Sequence, residues 1–343
     1  MKEKSKIIKI LFSSAFILLA GALLVSVVLS SRNRGETKIV YRDRAVVETQ
    51  VDEGEFYNIL FLGTDDEAGL CDVIMLVNLD VERGRATVAQ IPRDTYAAYT
   101  DASYKKLNGA YASLGGAART AEFLSGALGI DIHHYVCINL RTLGALVDAI
   151  GGVDIELPCD MRYSDAEQGL YINLKKGAAH LDGETARQFI RFRSGYANGD
   201  LGRIDAQKLF MAALFSKLAD EFSPVMAAKL CAAAEGVETD LSISDMMSMG
   251  VKVLGMKADS IALLTLPGKE ATAESSGASY YVLSAEPTAE IMEEYFGRRK
   301  EFDSEQIFLN TRYNSFRDIY FSNMEYSVIP IKEVAENLEL SVK

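Results

Sequence analysis

Residues 58–91 read NILFLGTDDEAGLCDVIMLVNLDVERGRATVAQI, and three apolar runs inside them point to the fold. NILFLG (58–63) is short, apolar and closed by glycine, the pattern of a buried strand. VIMLVNLD (73–80) and RATVAQI (85–91) are two more, turned around Glu82-Arg83-Gly84 as a hairpin. Pro92 ends the third run and leaves Arg93 and Asp94 just beyond it. Asp65, Asp66 and Glu67 follow the first run, and Asp72 precedes the second, so charged groups gather where strands end.

Working outward, residues 110–129 have a helical period broken at Gly115-Gly116, HYVCINL (134–140) is strand-like, and TLGALVDAI is helical. GGVDIELP is a glycine turn into another strand, and LDGETARQFIRF opens a helix with Asp182 at its N-cap. Pro224 begins an apolar helix to about Glu235, and Ser242 or Ser244 caps the next. IALLTLP (261–267) is a strand, 269–279 a loop of small polar residues, and SAEPTAEIMEEYF a helix. Alternating strands and helices without repeats predict an α/β fold, a mixed central β-sheet flanked by helices on both faces, over residues 55–300. Residues 301–343 form a C-terminal extension with a strand at YSVIPI and a short helix after it.

Ahead of this domain, residues 7–30 carry a single charge, Lys9, and are long enough to span a bilayer. A cleaved signal peptide is the competing reading. The long apolar run and the lack of a small-residue cleavage site favour an uncleaved transmembrane helix. The expected arrangement is a cytoplasmic tail (1–6), one transmembrane anchor (7–30), a polar linker (31–54) and an extracytoplasmic domain in the cell membrane.

Formal net charge is -12. A chain this acidic is a poor partner for nucleic acid, whose phosphates need basic surface. Clustered arginines on that background stand out as local anion sites. Cys71, Cys137, Cys159 and Cys231 form no CxxC pair, and His133, His134 and His180 show no zinc spacing.

The densest such cluster is RFRSGYANGDLGRIDAQ, residues 191–207. Arg191 and Arg193 share a face if the segment is extended. Asn198-Gly199 signals a turn, and Asp200 stands where a helix N-cap belongs. Arg203 and Gln207, four apart, share a face of the helix that follows, in line with Phe210, Leu214 and Leu218. Cations at a helix N-terminus oppose its dipole, so an anion is expected beside them. A purely structural Arg–Asp network pinning the loop is the rival reading.

No Walker loop, GxGxxG, GxSxG elbow or HExxH is present. Arginines and carboxylates remain, which suit phosphate clamping and charge neutralisation in phosphoryl transfer. The acidic sites Asp65-Asp66-Glu67 and Asp72 are of the type that holds Mg2+ alongside water and phosphate.

NILFLGTD, CDVIMLVNLD, IPRDTY, KLNGAYASLGG, GGVDIELP and RFRSGYANGDLGRIDAQ together resemble the LytR–CpsA–Psr family, in its order and spacing, over about residues 57–222. The resemblance implies a membrane-anchored phosphotransferase. It would move a glycopolymer, such as wall teichoic acid or capsule, from a polyprenyl-pyrophosphate carrier to peptidoglycan, with Mg2+ (or Mn2+) assisting. It assigns Asp65 and Asp72 to the metal and Arg93, Arg191, Arg193, Arg203 and Gln207 to the pyrophosphate. Arg93, Asp200 and Arg203 would carry catalysis, Asp200 by orienting Arg203 or activating the acceptor hydroxyl. Apolar faces of helices 201–222 and 225–235 would line a prenyl tunnel. Three positions depart from the pattern. Glu67 and Ala206 stand where members often have arginines, which predicts two missing cationic contacts, and Cys71 replaces a serine. Alternatives are a polyprenyl-phosphate-binding regulator without turnover and a pyrophosphate hydrolase.

Overall fold

The computed structural model describes residues 56–65, 69–99, 105–166, 169–234, 236–273, 276–298, 326–334, 338, 340 and 342. The tail, the 7–30 anchor, the linker, Asp66, Glu67 and most of the 301–343 extension lie outside the described residues. Among the described residues no helix is long and apolar enough to cross a membrane.

The first half comprises β1 (Phe56–Thr64), β2 (Cys71–Asp80), β3 (Arg85–Gln90), α1 (Ala110–Leu114), α2 (Ala117–Leu128), β4 (His134–Asn139), α3 (Leu140–Ala149) and β5 (Val153–Leu157). Then come β6 (Met161–Asp165), β7 (Leu170–Leu174), β8 (Gly177–Leu181), α4 (Gly183–Arg191), α5 (Asp200–Glu221), α6 (Pro224–Ala233) and β9 (Glu238–Thr239). The chain continues through α7 (Ile243–Leu254), β10 (Ile261–Thr265), β11 (Gly268–Thr272), β12 (Ser279–Leu283), α8 (Ala285–Phe296) and β13 (Ile329–Pro330).

Among the described residues, seven strands form the central sheet in the order β13-β10-β3-β2-β1-β4-β9. β1, β2 and β3 are an antiparallel meander, while β4 joins β1 and β10 joins β3 in parallel. The sheet is therefore mixed, as the sequence predicts. Successive side chains of a strand point to opposite faces, and both faces here are covered. Leu60, Leu62 and Leu76 pack with Leu124 of α2 and Ile291 and Phe296 of α8. Ile59, Phe61, Met75 and Val77 pack on the other face with Met246 of α7 and, on α5, Leu209, Met211 and Phe215. Double coverage explains why these strands read as unbroken apolar runs. A third cluster joins α3, α4, α6, the middle of α5 and the small β5–β8 and β6–β7 ribbons.

Local chemistry fixes the ends of the elements. At the β2–β3 turn Asp80 accepts from Arg83 N (3.1 Å), Arg83 Nη1 (3.0 Å) and Arg85 Nε (2.9 Å). Asp182 caps α4 by accepting from Thr185 N at 2.9 Å, as its position predicts. Ser223 caps α6, and Ser242 caps α7 by accepting from Asp245 N at 3.2 Å.

Other expectations need correction. Residues 269–279, expected to be a loop, contribute to the β11–β12 hairpin, whose turn alone is small and polar. Asp200 is the first residue of α5, not its N-cap. Gly199, at φ 55°, holds the cap position, and no side chain caps the helix. The strand expected at YSVIPI is reduced to Ile329–Pro330, paired with β10 and followed by a 3-10 turn at Ile331–Glu333.

Candidate active site

The end of β1 lies beside the start of β2, and the end of β3 comes alongside, so their flanking residues converge at one edge of the sheet. Asp65 follows β1, where its Oδ1 accepts from Leu70 N (3.1 Å) and helps close the 65–70 loop. Asp72 opens β2. Arg93 follows Pro92 in a turn held by Thr95 N to Pro92 O (3.0 Å) and Asn108 N to Arg93 O (2.9 Å). The start of α5 delivers Asp200 and Arg203 to the same place.

These groups interlock. Arg93 Nη1 donates to Asp72 Oδ1 at 2.5 Å, and Arg203 Nη1 is 3.6 Å from the same oxygen. Asp200 Oδ1 lies 2.8 Å from Arg203 Nη2 and 3.4 Å from Arg93 Nε. The side chain of Arg203 is only 4% exposed. Burial lowers its pKa and proximity to Arg93 adds to that, against the opposing pull of Asp200 and Asp72. Burial also lowers the pKa of Arg93, but Asp72, Asp200 and Asp94 outweigh it, and the net shift is upward. Hydrogen bonding remains incomplete: Arg93 Nε, Arg203 Nε and Nη2, and both Asp200 oxygens are buried without a well-aligned protein partner. Buried charged groups seldom stay so, because each missing bond costs about 1–3 kcal/mol.

Beside the cluster opens a polar cavity of about 700 Å3. Arg93, Arg187, Arg191, Arg193 and Arg203 line it against Asp65, Asp72 and Glu184, a local excess of cations on an acidic chain. Arg191 and Arg193 both reach it, though not from an extended segment. Arg191 is the last residue of α4, and Phe192 leaves the helix at φ -66°, ψ 132°. Asp65 and Asp72 make an all-oxygen donor pair, the kind a hard cation completes with water and phosphate. Among the described residues no group of three or more His, Cys, Asp or Glu is arranged for a metal.

A second, apolar cavity of about 170 Å3 runs between the sheet and α5. Phe61, Met75 and Val88 form its floor, and Phe210, Met211, Leu214 and Leu218 its α5 wall. Asp72, Leu140 and Arg191 line both cavities, so the two meet there. Gln207 lies on the apolar side. Its Oε1 accepts from Gln90 Nε2 (2.5 Å) and its Nε2 donates to Ile190 O (3.2 Å), apart from the arginine cluster. The α5 stripe thus lines the cavity as expected, whereas α6 packs its apolar face into the third core cluster.

Ala206 is fully buried in that same cluster and is not among the residues lining the polar cavity. Glu67 lies outside the described residues. Cys71 is buried, and burial pushes its thiol pKa far up. Sequence reasoning missed Glu184, Arg187 and Gln188 of α4 and Tyr163, Tyr171 and Ile172 of the β6–β7 ribbon, all of which line the polar cavity. The signal was the i, i+3, i+4 polar row on α4; the ribbon, within residues 159–180, gave none.

Fold and site together define a class: α/β proteins in which a cationic cavity at the strand ends continues into an apolar one under a long helix. The LytR_cpsA_psr family model matches residues 25–296, and the chain belongs to that family. Among its relatives, the polyisoprenyl-teichoic acid–peptidoglycan teichoic acid transferase TagV of Bacillus subtilis is 32% identical over 224 residues, 62% of this chain. That match spans 57% of the relative's own length. The corresponding TagU of Oceanobacillus iheyensis is 27% identical over 258 residues, covering 73% of this chain and 78% of its own. The crystal structure of B. subtilis TagV aligns with a TM-score of 0.62 at 27% identity, over 72% of this chain and 100% of that one.

Proposed function

We propose that the protein is a membrane-anchored phosphotransferase that moves a glycopolymer from a polyprenyl-pyrophosphate carrier to peptidoglycan outside the cytoplasm. One observation carries this reading. Buried Arg203 and half-buried Arg93, with N–H donors unfilled, line a cationic cavity that meets an apolar one at Asp72, Leu140 and Arg191. A pyrophosphate supplies the missing acceptors, and its prenyl chain enters the apolar cavity. The relatives named as teichoic acid transferases support the substrate class, and the apolar stretch 7–30 supports the anchor.

In the proposed reaction a peptidoglycan hydroxyl, the muramic acid 6-hydroxyl, attacks the glycan-side phosphorus in line. The new bond is phosphorus to acceptor oxygen. The bridging bond to the second phosphate breaks, polyprenyl phosphate leaves, and the hydroxyl proton ends on that phosphate or on water. Arg93, Arg191, Arg193 and Arg203 hold the pyrophosphate and stabilise the charge shifting to the leaving group. Asp200 Oδ1 lies 2.8 Å from Arg203 Nη2 and 3.4 Å from Arg93 Nε, which suits Asp200 to position both arginines. Gln207 braces Gln90 and the end of α4 where the cavities join. Asp65 and Asp72 would hold Mg2+ or Mn2+, which when bound supplies Lewis-acid neutralisation of the phosphates.

The test uses the full chain, Mg2+, a polyprenyl-pyrophosphate oligosaccharide and a peptidoglycan acceptor. Arg93→Ala and Arg193→Ala should each lower transfer by about a hundredfold or more, the scale of losing a charge-stabilising donor. Parental rates in both variants would show the site to be misplaced.

A further inference from the structure

The arginine cluster accounts for one wall of the polar cavity and leaves the other unexplained. That second wall is built from the β6–β7 ribbon and one face of α4. In the ribbon, Tyr163 pairs with Ile172, so their side chains lie side by side on one face. Ile172 is 4% exposed, whereas Tyr163 is 37% exposed, and both line the cavity. On α4, Glu184, Arg187 and Gln188 occupy positions i, i+3 and i+4 and line it too. Gln188 Oε1 accepts from Asn173 N (3.2 Å), which ties the helix to the ribbon, and its Nε2 donates to Glu184 Oε1 (3.3 Å). Glu184 also accepts from Arg187 Nη2, an interaction that lowers its carboxyl pKa and keeps it an anionic acceptor.

An open aromatic ring beside a carboxylate, a guanidinium and a carboxamide is equipment for a sugar. The C–H face of a pyranose packs on an aromatic ring, and its vicinal hydroxyls pair with planar polar side chains. Size agrees: about 700 Å3 is room for a drug-sized ligand, well beyond a diphosphate alone. We infer that Tyr163 and the Glu184–Arg187–Gln188 face of α4 form a pyranose subsite, with Tyr163 as its stacking platform. The inference rests on the phosphotransferase reading, since it places a sugar ring beside the phosphates held by the arginines. The ring belongs either to the carrier-linked glycan or to the acceptor.

The experiment takes the full chain in detergent micelles as parent, Tyr163→Ala and Tyr163→Phe, with melting temperatures confirming that all three fold. Binding is measured for polyprenyl pyrophosphate with and without one N-acetylhexosamine, and KM for a soluble glycan-strand acceptor. Tyr163→Ala should weaken the sugar-bearing carrier about three- to tenfold, the worth of one aromatic contact. The sugar-free carrier should bind as to the parent, and Tyr163→Phe should restore binding. The same loss in acceptor KM, with both carriers unaffected, assigns the ring to the acceptor and equally supports the subsite. Parental values throughout for Tyr163→Ala, or equal weakening of both carriers, would overturn the subsite while leaving the pyrophosphate reading in place. Failure of the parent to bind either carrier would overturn that reading and the subsite with it.

Discussion

Arg203 is buried beside Arg93, and its charge is tolerable only while Asp200 and Asp72 remain next to it. Removing one partner of such a buried pair is costly because the other charge stays behind. Asp200→Asn should therefore destabilise the protein by about 2 kcal/mol, below the usual range for a broken buried pair because Asp72 stays beside Arg203. Urea denaturation measures this, and added inorganic pyrophosphate should stabilise the variant at least as much as the parent by replacing the lost anion. Unchanged stability would mean that Arg203 is neutralised by other groups. At this scale much of the site was readable beforehand. Arg93, Asp72, Asp200 and Arg203 do converge, because strand ends and a helix start are where polar side chains escape the core. Gln207 was harder to read. Its shared helix face with Arg203 is real, yet one turn of α5 carries it from the cationic cavity to the apolar one.

Gly202, in the first turn of α5, sets how the helix meets the loop before it. A Cβ there would come within 2.4 Å of Tyr196 Cβ, and Tyr196 is fully buried. Gly202→Ala must push α5 and the loop apart, shifting Asp200 and Arg203 together from Asp72 and Arg93. The expected outcome is at least a tenfold loss of transfer, since small misplacements of positioned groups are costly, with the fold retained by circular dichroism. At the other end of the sheet Asp80 gives a pH signature. Burial raises its pKa, but hydrogen bonds from Arg83 and Arg85 outweigh this, and the net value lies below the ordinary 3.8. A carboxyl with a depressed folded pKa stabilises above its unfolded pKa and loses that contribution as pH falls through the folded one. Asp80→Asn should thus cost about 1 kcal/mol at pH 7, modest because Arg83 is exposed. The gap from the parent should close as the pH falls below 3.8, and a gap that persists in acid would point to packing instead. Elements with strong apolar periods were legible; β6, β7 and β8 were not. They are short ribbons whose mixed polar sequence carries little pattern, and β7 and β8 pack against α4.

Across the whole molecule, two cavities of opposite character meet at Asp72, Leu140 and Arg191, and the proposed carrier uses both. Leu214→Trp adds bulk to the α5 wall of the apolar cavity. It should weaken binding of a long-chain polyprenyl pyrophosphate at least tenfold while leaving inorganic pyrophosphate binding near the parental value, both read by calorimetry. Equal binding of the long-chain carrier would show that the chain lies elsewhere. No local sequence pattern reveals such a cavity, because its floor and wall are ordinary core residues until sheet and helix are brought together. Transfer itself is read from the products. The full chain is incubated with Mg2+, peptidoglycan and a carrier labelled in its glycan. The expected product is label joined to peptidoglycan through a phosphodiester, with one polyprenyl phosphate released per conjugate. Free glycan phosphate, or carrier bound and unchanged, would contradict it.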